Sequence, residues 1–235
     1  MRDIYNDQTY LNNNPGWGEE DAPMKSAAIA GLLIKNKISF KTVAEAGSGS
    51  GEILVQLQKT FPATEKFFGF DISQDAFAIA SKKQTDKIRF ELADISKQAN
   101  LHFDLLLVID VIEHIQDYFS FLEGIKEKST YTIFHIPLDM SVWSLFREKM
   151  LIESKNRVGH IHTFTEDFIL DVLQEYGFEL IDKIYTPPTY SHKSVKQKIT
   201  DGIRKLFFLV NKKFAAKTIG GYSIMVLMKN RVTGP

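Results

Sequence analysis

The chain contains no cysteine. Disulfides, iron–sulfur clusters and a cysteine nucleophile are thereby excluded. It also carries no net charge, since 29 basic residues balance 29 acidic ones, so no global field argues for a nucleic-acid partner. No apolar run reaches the length of a membrane span. The polar stretch Met1 to Gly18 lacks the apolar centre of a signal peptide, which predicts a cytoplasmic protein. Internal repeats and low-complexity tracts are missing as well. What is present is 235 residues, 44% of them hydrophobic, which suits one large α/β domain over 1–235.

That domain is organised around Val43-Ala44-Glu45-Ala46-Gly47-Ser48-Gly49-Ser50-Gly51-Glu52. The apolar run Thr42 to Ala46 predicts a short buried strand, and Ile53, Leu54, Leu57 and Phe61 recur at helical spacing. Between them lie Gly47, Gly49 and Gly51. Strand, glycine loop and helix make the ligand-cradling corner of an α/β sheet. Glycine lets the backbone turn sharply and come close to a ligand, and the helix start offers unpaired N–H groups. A P-loop would need Gly-Lys-Ser/Thr, but Gly51 precedes Glu52. A dinucleotide fingerprint counted from Gly47 would end on Glu52, a poor fit.

Further strands are predicted at Phe67–Asp71, Ile88–Leu92, Phe103–Ile109, Tyr131–Ile136, Phe178–Tyr185 and Tyr222–Met228, with helices between them. Strands alternating with helices imply a mostly parallel sheet covered on both faces. Asp71 stands twenty residues beyond Gly51, where an acid meets ribose hydroxyls in nucleotide-binding α/β folds. Asp94 and Asp110 follow two later strands. Thr163 to Glu166 fits a capping box, and a helix is predicted around Val142, Trp143, Leu145, Phe146 and Met150. Residues 1–22 form an irregular arm whose Tyr5, Tyr10 and Trp17 either pack on the body or flap over the site.

The run acidic-x-Gly-x-Gly-x-Gly resembles motif I of class I S-adenosylmethionine (SAM)-dependent methyltransferases. Asp71 looks like that family's ribose-binding acid, and Asp94-Ile95 like its adenine-contacting pair. Asp110-Val111-Ile112-Glu113-His114, Gly159 to Thr165 and Tyr176-Gly177-Phe178 are similar to segments of its small-molecule subgroup. The resemblance covers about Pro23 to Glu179 and resumes at Tyr222. It implies a doubly wound, mostly parallel seven-stranded sheet with one antiparallel strand and a helical insertion before the last strand, over 188–219. The cofactor it implies is SAM, held by Glu45, Gly47, Ser48, Gly49, Gly51, Asp71, Ile72, Asp94, Ile95 and Asp110. Transfer would go to an oxygen or nitrogen nucleophile of a small-molecule, sugar or lipid-linked acceptor. A non-catalytic SAM-binding scaffold and an NAD(P)-dependent oxidoreductase are the alternatives, and Glu52 speaks against the second.

His114 is the candidate base, because an imidazole works near neutral pH. Tyr10, Trp17, Lys25 and His160 are the candidate acceptor contacts. Asp110, Glu113 and His114 also resemble a divalent-cation site proposed for ubiquinone-pathway O-methyltransferases, but three ligands are few and the expectation is no metal. No nucleic-acid partner is expected, and the chain would be a monomer or homodimer. From Lys193 to Lys217, Val195, Ile199, Ile203, Leu206, Phe207, Val210 and Phe214 form a helical stripe, among eight basic residues and one acid. It reads either as a packed lid or as a peripheral membrane contact.

Overall fold

A computed structural model describes residues 16–187, 208 and 211–231. Tyr10 and most of the expected 193–217 basic helix, Phe207 included, lie outside them. Helix α1 (Ala22–Lys35) opens with Pro23 in its first turn, where the missing N–H has no partner to lose, and buries Ile29, Leu32 and Leu33. Strand β1 (Thr42–Ala46) runs into the glycine loop, and α2 (Glu52–Thr60) leaves it. Next come β2 (Lys66–Asp71), α3 (Gln74–Ala80) and β3 (Ile88–Leu92). The Ser73 hydroxyl caps α3 by accepting from the Ala76 N–H. Strand β4 (Phe103–Ile109), α4 (Tyr118–Ile125) and β5 (Ser129–Pro137) complete the parallel part.

The chain goes on through α5 (Val142–Leu145), α6 (Glu148–Val158), α7 (Glu166–Glu175), β6 (Phe178–Thr186), α8 (Lys212–Thr218) and β7 (Ser223–Asn230). The seven strands form one sheet in the order β3-β2-β1-β4-β5-β7-β6. Strands β1 to β5 pair in parallel, and β7 lies antiparallel between β5 and β6. This is the class I methyltransferase fold. All of β4 except Asp104 is buried, as a central strand covered on both faces must be. One core cluster holds Phe134, Phe178 and Leu122; the other, on the opposite face, holds Phe67, Leu105 and Ile29. The strand order reverses between β1 and β4, and the crevice beyond their carboxyl ends is where ligands bind in open α/β sheets.

Two local expectations change. The helix around Trp143 is two helices, α5 and α6, broken at Arg147, whose φ of −132° and ψ of 47° are not helical. The Thr163–Glu166 capping box does not form: Thr165 is the N-cap residue of α7 and makes no side-chain cap. Glu166 is buried instead, where its carboxylate takes the Lys183 ammonium at 2.5 Å and the Tyr185 hydroxyl. A buried carboxylate needs charged or donating partners more than a helix end needs a cap. Its charge, added to burial, pushes the Tyr185 hydroxyl pKa up.

The glycine loop rests on one aromatic ring. Phe90 of β3 is register partner to Gly69 of β2 and reaches across it under the loop. A Cβ on Gly69 would stand 2.3 Å from Phe90 Cδ1, and one on Gly51 would stand 2.3 Å from Phe90 Cζ. Gly51 also has φ +76°, a left-handed conformation that side chains resist. Gly51→Ala therefore combines backbone strain with overpacking and should destabilise the fold by roughly 2–4 kcal/mol. In urea denaturation Gly51→Ala/Phe90→Leu should recover the steric part; equal stability of the single variant and the parent would contradict this packing.

Candidate active site

A cleft of about 1070 Å³ opens at the carboxyl ends of β1, β2, β4 and β5. One wall is the glycine loop. The Gly47 and Ser48 N–H groups donate to the Phe70 carbonyl at 2.8 and 3.0 Å, which turns the chain back on β2. Gly47 and Gly49 have φ of +68° and +52°. Asp71 stitches this loop to the next crossover: Oδ2 accepts from the Gly49 N–H and Oδ1 from the Ser73 N–H, both at 2.8 Å. Burial pushes its pKa up, and the backbone donors oppose that. Glu45, wholly buried beneath the loop, is pushed well above the usual carboxylate range by burial, and its Oε2 has no hydrogen-bond partner among the described residues.

Around the same cleft, Ser48 is buried and Ile72 is 64% exposed. Asp94 Oδ1 accepts from the Ser96 N–H at 3.0 Å and hydroxyl at 2.6 Å, and Oδ2 faces Lys97 at 3.0 Å. Ile95 follows at the wall, buried. Gly51 alone of the expected cofactor contacts does not line the cleft; it packs on Phe90.

The opposite wall is built from β4, β5 and α1. Lys25 of α1 pairs with Asp110 Oδ2 at 2.7 Å, and Asp110 Oδ1 meets His135 Nδ1 at 2.5 Å. His135 Nε2 in turn meets the Thr186 hydroxyl at 2.7 Å. Burial alone would raise the Asp110 pKa, but the His135 imidazole and the Lys25 ammonium hold it well below the usual range. Asp110 also sits at φ +54°, a strained backbone for aspartate that this pairing keeps in place. His135 and Thr186 are absent from the sequence reading. No local motif marks them, because the hydrogen bond that joins them links residues 51 positions apart on strands separated by β7.

His114 follows on the short helix after β4. Its Nδ1 lies 3.1 Å from the Gly159 carbonyl, so Nδ1 carries the proton and Nε2 is the basic nitrogen. Burial, helped by the neighbouring His160, lowers its pKa to about 4, so the ring is neutral at pH 7. His160 packs edge-on against it at 5.0 Å between ring centres, with Nδ1 held by Asp139 at 2.6 Å. Glu113 is fully buried, and neither carboxylate oxygen has a hydrogen-bond partner among the described residues. Glu113, His114 and His160 bring donor atoms within 4.8 Å of one another and could together hold a divalent cation. Asp110, grouped with Glu113 and His114 from the sequence, is taken by Lys25 and His135, and His160 stands in its place.

The arm comes to the site as well. The Trp17 carbonyl would lie 3.2 Å from a Cβ on Gly49, and Trp17 lines the cleft. Lys83 ties the arm down, pairing with Glu19 at 2.5 Å and with Glu52 at 2.9 Å. Glu52, the residue that spoils a dinucleotide fingerprint, thus anchors the arm. Of the expected acceptor contacts, Trp17, Lys25 and His160 share this cleft.

Burial pushes the Glu113 pKa well up, with Asp110 adding repulsion. A group with its folded pKa raised stabilises most below its unfolded pKa, near 4.3, and loses that contribution as pH rises through the folded value. The slope is about −1.4 kcal/mol per pH unit in that window. Glu113→Gln removes it, so its melting temperature should match the parent at acidic pH and exceed it increasingly as pH rises. Parallel melting curves across that range would contradict the assignment.

A family model described as a methyltransferase domain matches residues 24–183. No curated protein matches the chain in sequence. Among solved structures, the magnesium protoporphyrin IX methyltransferase ChlM from Synechocystis PCC 6803, with bound SAH, superposes at a TM-score of 0.60. It is 15% identical, over 88% of this chain and 82% of that one. The N-methyltransferase NodS from Bradyrhizobium japonicum WM9, in complex with S-adenosyl-L-homocysteine, gives 0.59 at 13% identity, over 94% and 98%. The methyltransferase in a complex with the Haloferax volcanii Trm112 methyltransferase activator gives 0.69 at 13% identity, over 98% and 99%. The family match, on a seven-stranded sheet with its glycine loop at the reversal of strand order, shows that the chain belongs to the methyltransferase-domain family.

Proposed function

We propose that this methyltransferase takes its methyl group from SAM and passes it to an oxygen or nitrogen nucleophile of a small-molecule, sugar or lipid-linked acceptor. The observation that carries this reading is the two-walled cleft: the glycine loop with Asp71 and Asp94 on one side, His114 and His160 on the other. The first wall fits an adenosyl amino acid. Each Asp71 oxygen spends one lone pair on a backbone N–H, which aims the carboxylate and leaves acceptor capacity for a vicinal diol. Asp94, aimed by Ser96, can accept from the adenine amine, and exposed Ile72 offers apolar surface to the ring. The backbone at Gly47 and Gly49 can approach the methionine end. The buried carboxylate of Glu45 and the carbonyl of Asp110 would face its ammonium group. SAM supplies an electrophilic methyl on a sulfonium cation.

The second wall would receive the acceptor. Trp17 and Lys25 close it from the arm and α1, and His160 from the loop after α6. Catalysis would rest on holding the nucleophile in line with the methyl and excluding water. His114 takes the acceptor's proton through Nε2. Its low pKa keeps the ring uncharged, so it does not repel a sulfonium.

Two outcomes check this with a labelled methyl donor and a panel of sugar, lipid-linked and small amine or hydroxyl acceptors. With an accepted substrate, His114→Ala should lower kcat by roughly a hundredfold, the low end of general-base contributions, with donor affinity unchanged. The acid limb of kcat/KM should fall near pH 4, not near 6.5, because His114 stays unprotonated until about pH 4. A limb near 6.5 that vanishes in His114→Ala would contradict the buried, neutral state. A parallel loss of donor binding in that variant would make His114 a packing residue.

A further inference from the structure

Half of the large apolar side chains exposed among the described residues fall within residues 140–152. Single exposed apolar residues are ordinary; a contiguous group marks a contact surface. Helix α6 has no buried residue along its 11 positions, which is unusual for a helix that must gain its stability from packing. Trp143, Leu145 and Phe146 at the α5–α6 break, with Met150 and Ile152 beyond it, are turned outward, Phe146 to 81%. Helix α8 lies beside α5 and adds Phe214, 54% exposed.

The charges around these residues favour an anionic partner. The chain as a whole has no net charge, yet α5, α6 and the turn between them carry Arg147, Lys149, Lys155 and Arg157 against Glu148 and Glu153. Helix α8 brings Lys212, Lys213 and Lys217 and no acid. One further acid, Asp167, is shared by Lys213 and Lys217 at 2.5 and 2.6 Å and titrates near pH 2. Seven basic residues against three acids thus surround an apolar patch, while the rest of the molecule carries the compensating negative charge. The Arg147 guanidinium stands 6.0 Å from the centre of the Trp143 ring, pairing a cation with an amphipathic aromatic.

We infer that α5, α6 and α8 form a docking face for an anionic phospholipid surface. The indole and phenyl rings suit the headgroup boundary, and the basic rim supplies attraction to anionic lipid. No described helix is long and apolar enough to cross a membrane, so the contact is peripheral. The face adjoins the cleft: α5 and α6 leave from Pro137 at the end of β5 and return at Val158 and His160, all three of which line it. A docked molecule would hold its acceptor wall near the membrane. The inference does not depend on methyl transfer, because binding is read without substrate.

The test is flotation of the full chain with vesicles of phosphatidylcholine containing about one-third phosphatidylglycerol, beside pure phosphatidylcholine. The protein should float with the anionic vesicles only, and moderate salt should release it. Trp143→Ala/Phe146→Asp should cut the floating fraction by roughly tenfold, and Lys149→Glu/Lys155→Glu several-fold, because both alter exposed side chains whose loss leaves the core intact. Melting temperatures close to the parent's confirm that both variants are folded. Absence of the protein from the anionic vesicle fraction overturns the inference, and so does equal flotation of folded parent and variants. A concentration-dependent dimer in light scattering that Phe146→Asp dissolves also overturns it, by assigning the face to a second copy of the chain.

Discussion

The carboxylate of Asp71 lies where two crossovers of the sheet meet, and the geometry of the cleft depends on it. One oxygen holds the Gly49 N–H of the first crossover and the other holds the Ser73 N–H that opens the second. Without an acceptor there, two backbone donors at the buried end of β2 would lose their partners, and the glycine loop would keep only its bonds to the Phe70 carbonyl to set its curvature from above. From below, Phe90 sets it by filling the space that side chains on Gly51 and Gly69 would occupy. Loop, acid and ring form one unit, and the strand order places that unit at the reversal between β1 and β4.

Charge is distributed unevenly over the two walls. Asp110 is partly buried and paired twice, so it stays ionised. Glu45 and Glu113 are buried with oxygens lacking partners among the described residues, and burial drives both towards the neutral acid. His114 is driven the other way, to a neutral base. Burial thus shifts Glu45, Glu113 and His114 towards their neutral forms, while the paired Asp110 and Asp94 are held as anions that can face a cation. That fits a positively charged donor bound in the same cleft.

How much of this was legible in the sequence depended on the range of each interaction. The glycine spacing, the acids at strand ends and the continuous apolar run of β4 are local signals, and each became the element it predicts. The Asp110–His135–Thr186 chain joins the ends of three strands, and periodicity carries no information about which strands are neighbours. The antiparallel setting of β7 has the same cause; the family resemblance implied it and the residues alone did not. Glu166 shows a local rule overridden: a capping-box pattern is present, but the basic and hydroxyl groups of β6 claim the carboxylate. The break at Arg147 was hidden because the apolar spacing continues across it. Gly51 looked like a ligand contact from its place in the motif, whereas its partner is an aromatic ring on another strand.

The proposed function stands on the binding of an adenosyl sulfonium donor by the Asp71-centred wall of this cleft. Isothermal titration of the full chain with SAM, and separately with its demethylated product, tests it most directly. Both should bind saturably at one site per chain. Affinity should fall by roughly ten- to a hundredfold in Asp71→Ala, as expected for two charge-assisted hydrogen bonds after allowance for water. Absence of heat with either ligand at millimolar concentration, or unchanged affinity in a folded Asp71→Ala variant, would contradict it.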